Sequence, residues 1–149
     1  MSAPPRADVL DEVTALQRVL AAEHAAIYAY GVAGAFLPGE VQRDARAAHA
    51  GHLARRDRLA VQLDDAGKIP AAPAPIYDLP GPVTDPATAQ GLLAVVEERL
   101  CAVWADAVAV LDVGIRELAA LALQDTAVRA ARWRGASVAF PGLPDRSRS

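Results

Sequence analysis

Residues 68–86 read KIPAAPAPIYDLPGPVTDP and contain six prolines. Proline lacks a backbone N–H and clashes with the preceding helical turn, so this stretch is predicted to be extended rather than helical. About 17 residues of such chain reach roughly 50 Å, whereas the helices predicted on either side measure roughly 40 Å. A simple up-and-down bundle needs only a few residues between neighbouring helices. The stretch therefore predicts a long crossover that joins two helical hairpins.

Four amphipathic helices are predicted around this crossover, because apolar or small residues recur at helical spacing between residues that commonly start or stop helices. The first helix is predicted to begin after an N-cap at Asp8 and to end at about residue 35, and the second to cover about 40–66 and to be closed by Gly67. The third is predicted at about 86–112, opened by Asp85 and Pro86, and the fourth at about 115–134, closed by Gly135. Gly114 is predicted to lie in the turn between the third and fourth helices. The sequence predicts one all-α domain over residues 1–149, a four-helix bundle. A C-terminal tail follows at about 136–149, and its Phe140 and Leu143 could fold back onto the bundle.

The composition indicates more apolar surface than a small monomer normally needs to cover. Hydrophobic residues make up 53% of the chain and the mean hydropathy is +0.16, which favours either a generous core or a homodimer. The formal net charge of −3 argues against nucleic acid as a partner. Neither a signal peptide nor an apolar run long enough to span a bilayer is predicted. We therefore expect a cytoplasmic protein with no membrane partner.

A carboxylate interrupts the apolar stripe of the first helix. Residues 21–30 read AAEHAAIYAY, in which Glu23 stands at a stripe position and Tyr30 shares its face. In an antiparallel hairpin, the same level of the second helix holds His49 and His52, followed by Arg56. Because an unpaired buried carboxylate is costly, a polar core cluster of Glu23, His52, Arg56 and Tyr30 is predicted. Four other arginines of the second helix are predicted to form a solvated basic face: Arg43, Arg46, Arg55 and Arg58.

Three segments, LQRVLAAEHAAIYAYGVAGA, HLARRDRLAVQL and RWRGASVAFPGL, resemble an uncharacterised actinobacterial family of the ferritin-like superfamily. Di-metal members of that superfamily carry a Glu on helices 1 and 3 and a Glu-x-x-His motif on helices 2 and 4. The resemblance implies metal-ligand roles for Glu23, Glu97 and His52, with His49 standing where the helix-2 carboxylate would be. Helix 4 has no Glu-x-x-His motif. The candidate metal set is therefore incomplete: Glu23, His49, His52 and Glu97.

Two functions stay open at this point. The first is a metal-free, dimeric ferritin-like bundle that acts as a structural or binding module and needs no cofactor. The second is a metal-binding oxidoreductase with a mononuclear or degenerate di-metal site for iron or manganese. The ligands missing from helix 4 and the nearby guanidinium group favour the first, since two metal ions need several carboxylates to offset their charge. No substrate, small-molecule ligand or catalytic residue can be inferred from the sequence.

Overall fold

The computed structural model describes residues 10–135, so the predicted tail at 136–149 lies outside the described residues. Within the described range the chain forms four helices and no strands, which confirms an all-α bundle. The helices are α1 (Glu12–Gly34), α2 (Gly39–Asp65), α3 (Pro86–Val108) and α4 (Val113–Arg134). In residues 10–135, no helix combines the length and the apolar character needed to cross a membrane.

Local capping chemistry sets the starts of α1 and α3. Asp85 accepts a hydrogen bond from the Thr88 backbone N–H at 2.7 Å, and Pro86 occupies the first turn of α3, as predicted. The prediction for α1 is wrong by about one turn. Its N-cap is Asp11 rather than Asp8, because the Asp11 carboxylate accepts from the Thr14 N–H at 2.7 Å and satisfies a donor that the helix leaves free.

α2 ends at a glycine with a positive φ angle, as predicted, whereas α3 ends earlier than predicted. Gly67, with φ of +72°, lies just past α2, and the Lys68 N–H donates to the Leu63 carbonyl at 2.9 Å, a C-terminal motif that favours glycine. The prediction that α3 continues to residue 112 is wrong. α3 ends at Val108, and Asp112 instead caps α4, its carboxylate accepting from the Val113 N–H at 2.7 Å. The turn is therefore 109–112, and Gly114 lies inside α4.

The helix directions follow from two apolar clusters, one at each end of the bundle. The first contains Leu16 near the start of α1, Leu63 near the end of α2 and Leu111 just after α3. The second contains Ala33 near the end of α1 and Trp133 near the end of α4. Consequently α1 and α4 run in one direction, and α2 and α3 run in the other.

One side of the bundle is less tightly closed than the others. α1 packs against α2 and α3, and α3 packs against α4, but the backbones of α2 and α4 stay more than 8 Å apart in their Cα positions throughout the described chain. Long side chains span this gap instead. Arg55 of α2 binds Asp125 of α4 at 3.1 Å, and Arg132 of α4 lies 3.6 Å from Asp44 of α2.

The segment between α2 and α3 is anchored to α1 at several levels. Near the start of α1, the Gln17 side chain donates to the Ile69 carbonyl and accepts from the Ala71 N–H, both at 2.8 Å. Further along α1, the rings of Tyr28 and Tyr77 lie 5.3 Å apart. Side chains later in the segment pack against the second apolar cluster. These contacts hold the segment against the bundle between its two ends.

Candidate functional site

A histidine between two carboxylates forms the centre of the bundle. His52 of α2 lies between Glu23 of α1 and Glu97 of α3, and none of the three side chains has solvent exposure. The His52 Nδ1 atom is 2.7 Å from a Glu23 oxygen, and its Nε2 atom is 2.9 Å from a Glu97 oxygen. An ionised carboxylate can only accept hydrogen bonds, so an imidazole bonded to two of them must carry protons on both nitrogens. The arrangement thus favours a charged imidazolium between two carboxylates.

The pKa of His52 reflects a contest between burial and these contacts. Burial disfavours the charged ring and lowers the pKa, but the hydrogen bonds and charges of Glu23 and Glu97 outweigh burial and raise the pKa above its ordinary value of 6.5. At a pH where a free histidine begins to lose its proton, His52 in the folded protein therefore stays protonated.

Glu23 is held by three donors, two from α2 and one from α3. Its Oε2 atom faces His52, and its Oε1 atom accepts from the Trp104 Nε1–H of α3 at 3.0 Å and from the Arg55 guanidinium of α2 at 3.2 Å. Burial alone would raise the pKa of Glu23, but the hydrogen bond and charge of His52, the charge of Arg55 and the indole N–H together lower it. The carboxylate is consequently stabilised in its ionised form despite complete burial.

Glu97 is less completely bonded. Its Oε1 atom accepts from the Tyr30 hydroxyl at 2.5 Å as well as from His52, and the Tyr30 oxygen itself accepts from the Trp133 Nε1–H at 2.8 Å. Burial, followed by the charge of Glu97, raises the pKa of Tyr30 well above its ordinary value. The other oxygen, Oε2, is buried and has no hydrogen-bond partner among residues 10–135. Glu97 therefore combines one crowded oxygen with one unsatisfied oxygen.

The outer layer of the site joins α2 to α4. Arg55, only 8% exposed, bonds Glu23 with one guanidinium nitrogen and Asp125 with the other. Arg129 of α4 reaches towards α2, and its Nη2 atom lies 2.9 Å from where a Cβ on Gly51 would be. The buried charges balance, since Glu23 and Glu97 are matched by His52 and Arg55, while the buried Nη1 atom of Arg129 has no hydrogen-bond partner among residues 10–135.

The structure brings together Glu23, His52, Glu97 and Tyr30. His49 does not join them. It is half-buried and lines a groove between α1 and α2 beside Gly34 and Arg46. Within residues 10–135, no three side chains of the metal-ligating types are arranged around a common ion position.

The placement of Arg56 in the cluster is wrong, as is the placement of Arg55 on a solvated face. Arg56 bonds the exposed carboxylate of its neighbour Asp57, while Arg55 enters the core. The buried positions of α2 step from Ala48 to His52 and then by three residues to Arg55. A helix stripe alternates steps of three and four residues, so both arginines satisfy the local pattern, and Asp125 on α4 selects Arg55.

Stability is expected to fall as the pH rises above neutral, and His52 is expected to cause much of this loss. Because the pKa of His52 is raised on folding, its contribution is fully present below its unfolded pKa and is lost as the pH rises through its folded pKa. Urea unfolding between about pH 6 and pH 9 measures this slope, in a range below the ordinary titration of tyrosine. His52→Gln should flatten the slope, whereas His49→Gln should keep it. Equal slopes in the two variants would contradict the doubly bonded imidazolium.

The fold and the site define a class: an all-helical bundle with a charge-balanced polar network at its centre. Residues 15–145 match the family model described as a domain of unknown function (DUF4439), and the chain belongs to that family. It is similar to a conserved hypothetical protein, rv2844, from Mycobacterium tuberculosis, known from a crystal structure. The two are 34% identical over 83% of this chain and 95% of that chain, with a TM-score of 0.80. No curated protein matches the sequence.

Proposed function

We propose that this protein is a ferritin-like bundle that works without a metal ion, as a cytoplasmic structural or binding module that forms a homodimer. One observation carries the proposal. In Glu23, His52 and Glu97, every side-chain oxygen and ring nitrogen except Glu97 Oε2 is bonded within the protein, and the Arg55 guanidinium group lies 3.2 Å from Glu23. A fixed cation at that position opposes the binding of a second cation.

The ferritin-like assignment is supported by the path of the segment between α2 and α3. Since α2 and α3 run in the same direction, this segment has to return along the bundle before α3 begins. Its contacts with Gln17 near one end of α1 and its packing near Ala33 at the other end agree with such a path. A long connection between two helical hairpins is the distinguishing feature of ferritin-like bundles, and the proline content of residues 68–86 suits an extended crossover.

The ligand set implied by the ferritin-like resemblance does not fit a di-metal centre. Two divalent ions would face only Glu23 and Glu97 as fully buried carboxylates, too little negative charge to offset them. α4 offers Asp125, but that side chain is 56% exposed and already bonded to Arg55. A histidine ligand must present a neutral ring nitrogen, whereas both nitrogens of His52 face carboxylates. His49 lies on the groove instead.

A single metal ion is the second candidate, and one observation favours it. The Oε2 atom of Glu97 is buried and unbonded among the described residues, and buried polar atoms of this kind are uncommon in folded proteins. A mononuclear iron or manganese site at Glu23, His52 and Glu97 would employ that oxygen. Such a site would support an oxidoreductase rather than a binding module.

Elemental analysis separates the two candidates. Protein produced without an affinity tag, in medium supplemented with iron and manganese, is expected to contain far less than one equivalent of any transition metal. Added Mn²⁺ or Fe²⁺ is expected to leave the unfolding temperature unchanged, since a ligand that binds only the folded state would raise it. About one equivalent of metal that is lost in His52→Ala but kept in His49→Ala would overturn the proposal and establish the mononuclear site.

A further inference from the structure

The outward side of α4 exposes two large apolar side chains, Leu121 and Val128, among polar and charged residues. We call its exposed residues the α4 outer face, and they are Glu117, Ala120, Leu121, Gln124, Val128 and Arg132. Leu121 is 55% exposed and Val128 is 66% exposed, while the opposite side of the helix buries Ala119, Ala122 and Trp133. Large apolar side chains that lie exposed together and are rimmed by polar residues are a feature of protein–protein contact sites.

The α4 outer face is complementary to the same face of a second copy, in both its apolar and its charged residues. Along the sequence, Leu121 and Val128 are equally far from the midpoint between Gln124 and Asp125. Glu117 and Arg132 are also equally far from this midpoint, at about twice the distance. When two such helices pack antiparallel around a two-fold axis at this midpoint, each Leu121 comes level with a Val128 of the other copy. Each Glu117 likewise comes level with an Arg132. A two-fold interface needs this kind of self-complementary patch.

The shape and the present contacts of the face agree with this pairing. A shallow depression at the Val128 level is lined by Gln124, Val128 and Arg132, where the partner's copy of Leu121 would arrive. Arg132 is 65% exposed and lies 3.6 Å from an Asp44 carboxylate that is 50% exposed. An exposed ion pair of this kind contributes little, so Arg132 can turn to a carboxylate of a second copy at small cost.

We propose that the α4 outer face is the interface of a homodimer, in which α4 of one copy packs antiparallel against α4 of the other around a two-fold axis near Gln124. This inference rests on the dimer of the proposed function and specifies its surface. It also removes the exposed side chains of Leu121 and Val128 from water.

Sedimentation and cross-linking test the interface. The wild-type chain is expected to sediment as a dimer and Leu121→Glu as a folded monomer, because the substitution would bury two carboxylates in the interface, one from each copy. Val61→Glu is the matched control, since Val61 is 57% exposed on α2, and it should stay dimeric. A monomeric wild-type chain, or equal effects of the two variants, would overturn the interface.

The two-fold axis gives a second test that does not depend on how Leu121→Glu folds. Under mild oxidation, Gln124→Cys is expected to form a disulfide between the introduced cysteines of the two copies. Ala54→Cys, on the exposed side of α2, should not. The native Cys101 gives a low background because it is buried. A disulfide in Ala54→Cys but not in Gln124→Cys would place the contact elsewhere.

A charge exchange tests the pairing itself. Glu117→Arg and Arg132→Glu should each weaken the dimer about tenfold, since two symmetric ion pairs are lost in each variant, and the double variant should recover the affinity. Failure of the interface and failure of the proposed function are distinguishable. A metal-free monomer would overturn the interface and the homodimer but leave the metal-free module standing, whereas a dimer broken by Leu121→Glu that carries one equivalent of metal would overturn only the metal-free module.

Discussion

Replacing Arg55 with methionine is expected to lower the free energy of unfolding by about 3 kcal/mol, because it leaves buried carboxylates without a compensating cation. Arg55 donates to Glu23 at 3.2 Å and to Asp125 at 3.1 Å. Methionine keeps much of the aliphatic volume, so the change mainly removes charge and hydrogen bonds. Glu23 and Glu97 would then share the single positive charge of His52 in a part of the core that water does not reach. Urea unfolding near neutral pH measures the loss.

Arg56→Met is the matched control, because it removes the same groups from the neighbouring position. Arg56 bonds Asp57, which is 65% exposed, and exposed pairs of this kind contribute at most about 1 kcal/mol. Adding Glu23→Gln to Arg55→Met should restore part of the lost stability, since the uncompensated charge disappears with the carboxylate. If the two arginine variants lost equal stability, the network would not depend on Arg55.

The sequence predicts best those features that depend on neighbouring residues. Asp85 with Pro86, and Gly67 and Gly135 at helix ends, act through hydrogen bonds or backbone angles within a few positions. The structure confirms their places at helix ends. The same local reasoning misplaces the start of α1, because two aspartates, Asp8 and Asp11, both precede the apolar stripe. The hydrogen bond from Thr14 identifies Asp11 as the cap, and Asp8 lies outside the described residues.

The polar network is predicted only in part, because its partners meet across helices. Glu23, His52 and Tyr30 are identifiable since each occupies an apolar stripe. The choice between Arg55 and Arg56 depends on Asp125, which lies 70 residues further along the chain than Arg55. The indole donors are likewise invisible to local patterns, as Trp104 is 81 residues from Glu23. A tryptophan on an apolar stripe looks like packing alone, and nothing nearby in the sequence indicates its hydrogen bond.

Replacing Trp104 with alanine is expected to lower the free energy of unfolding by about 4 kcal/mol, the range typical of a large aromatic residue removed from a core. Trp104 has no solvent exposure and lies within the first apolar cluster. Its ring also lies 6.0 Å from the Arg55 guanidinium, and its indole N–H bonds Glu23. The alanine variant therefore loses packing, a contact with Arg55 and a donor to a buried carboxylate together. Thermal and urea unfolding of the purified variant measure the total.

Phenylalanine at the same position separates the hydrogen bond from the packing. Trp104→Phe should cost about 2 kcal/mol and more than Trp133→Phe, because Trp104 donates to a carboxylate and Trp133 to a neutral hydroxyl. The indole N–H helps to lower the pKa of Glu23, so the stability it supplies is present above the unfolded pKa and is lost as the pH falls through the folded pKa. The deficit of Trp104→Phe should therefore shrink in acid, while that of Trp133→Phe stays constant over the same range. A deficit of Trp104→Phe that does not change with pH would mean that the indole acts through packing alone and that the charge of Glu23 is held by Arg55 and His52.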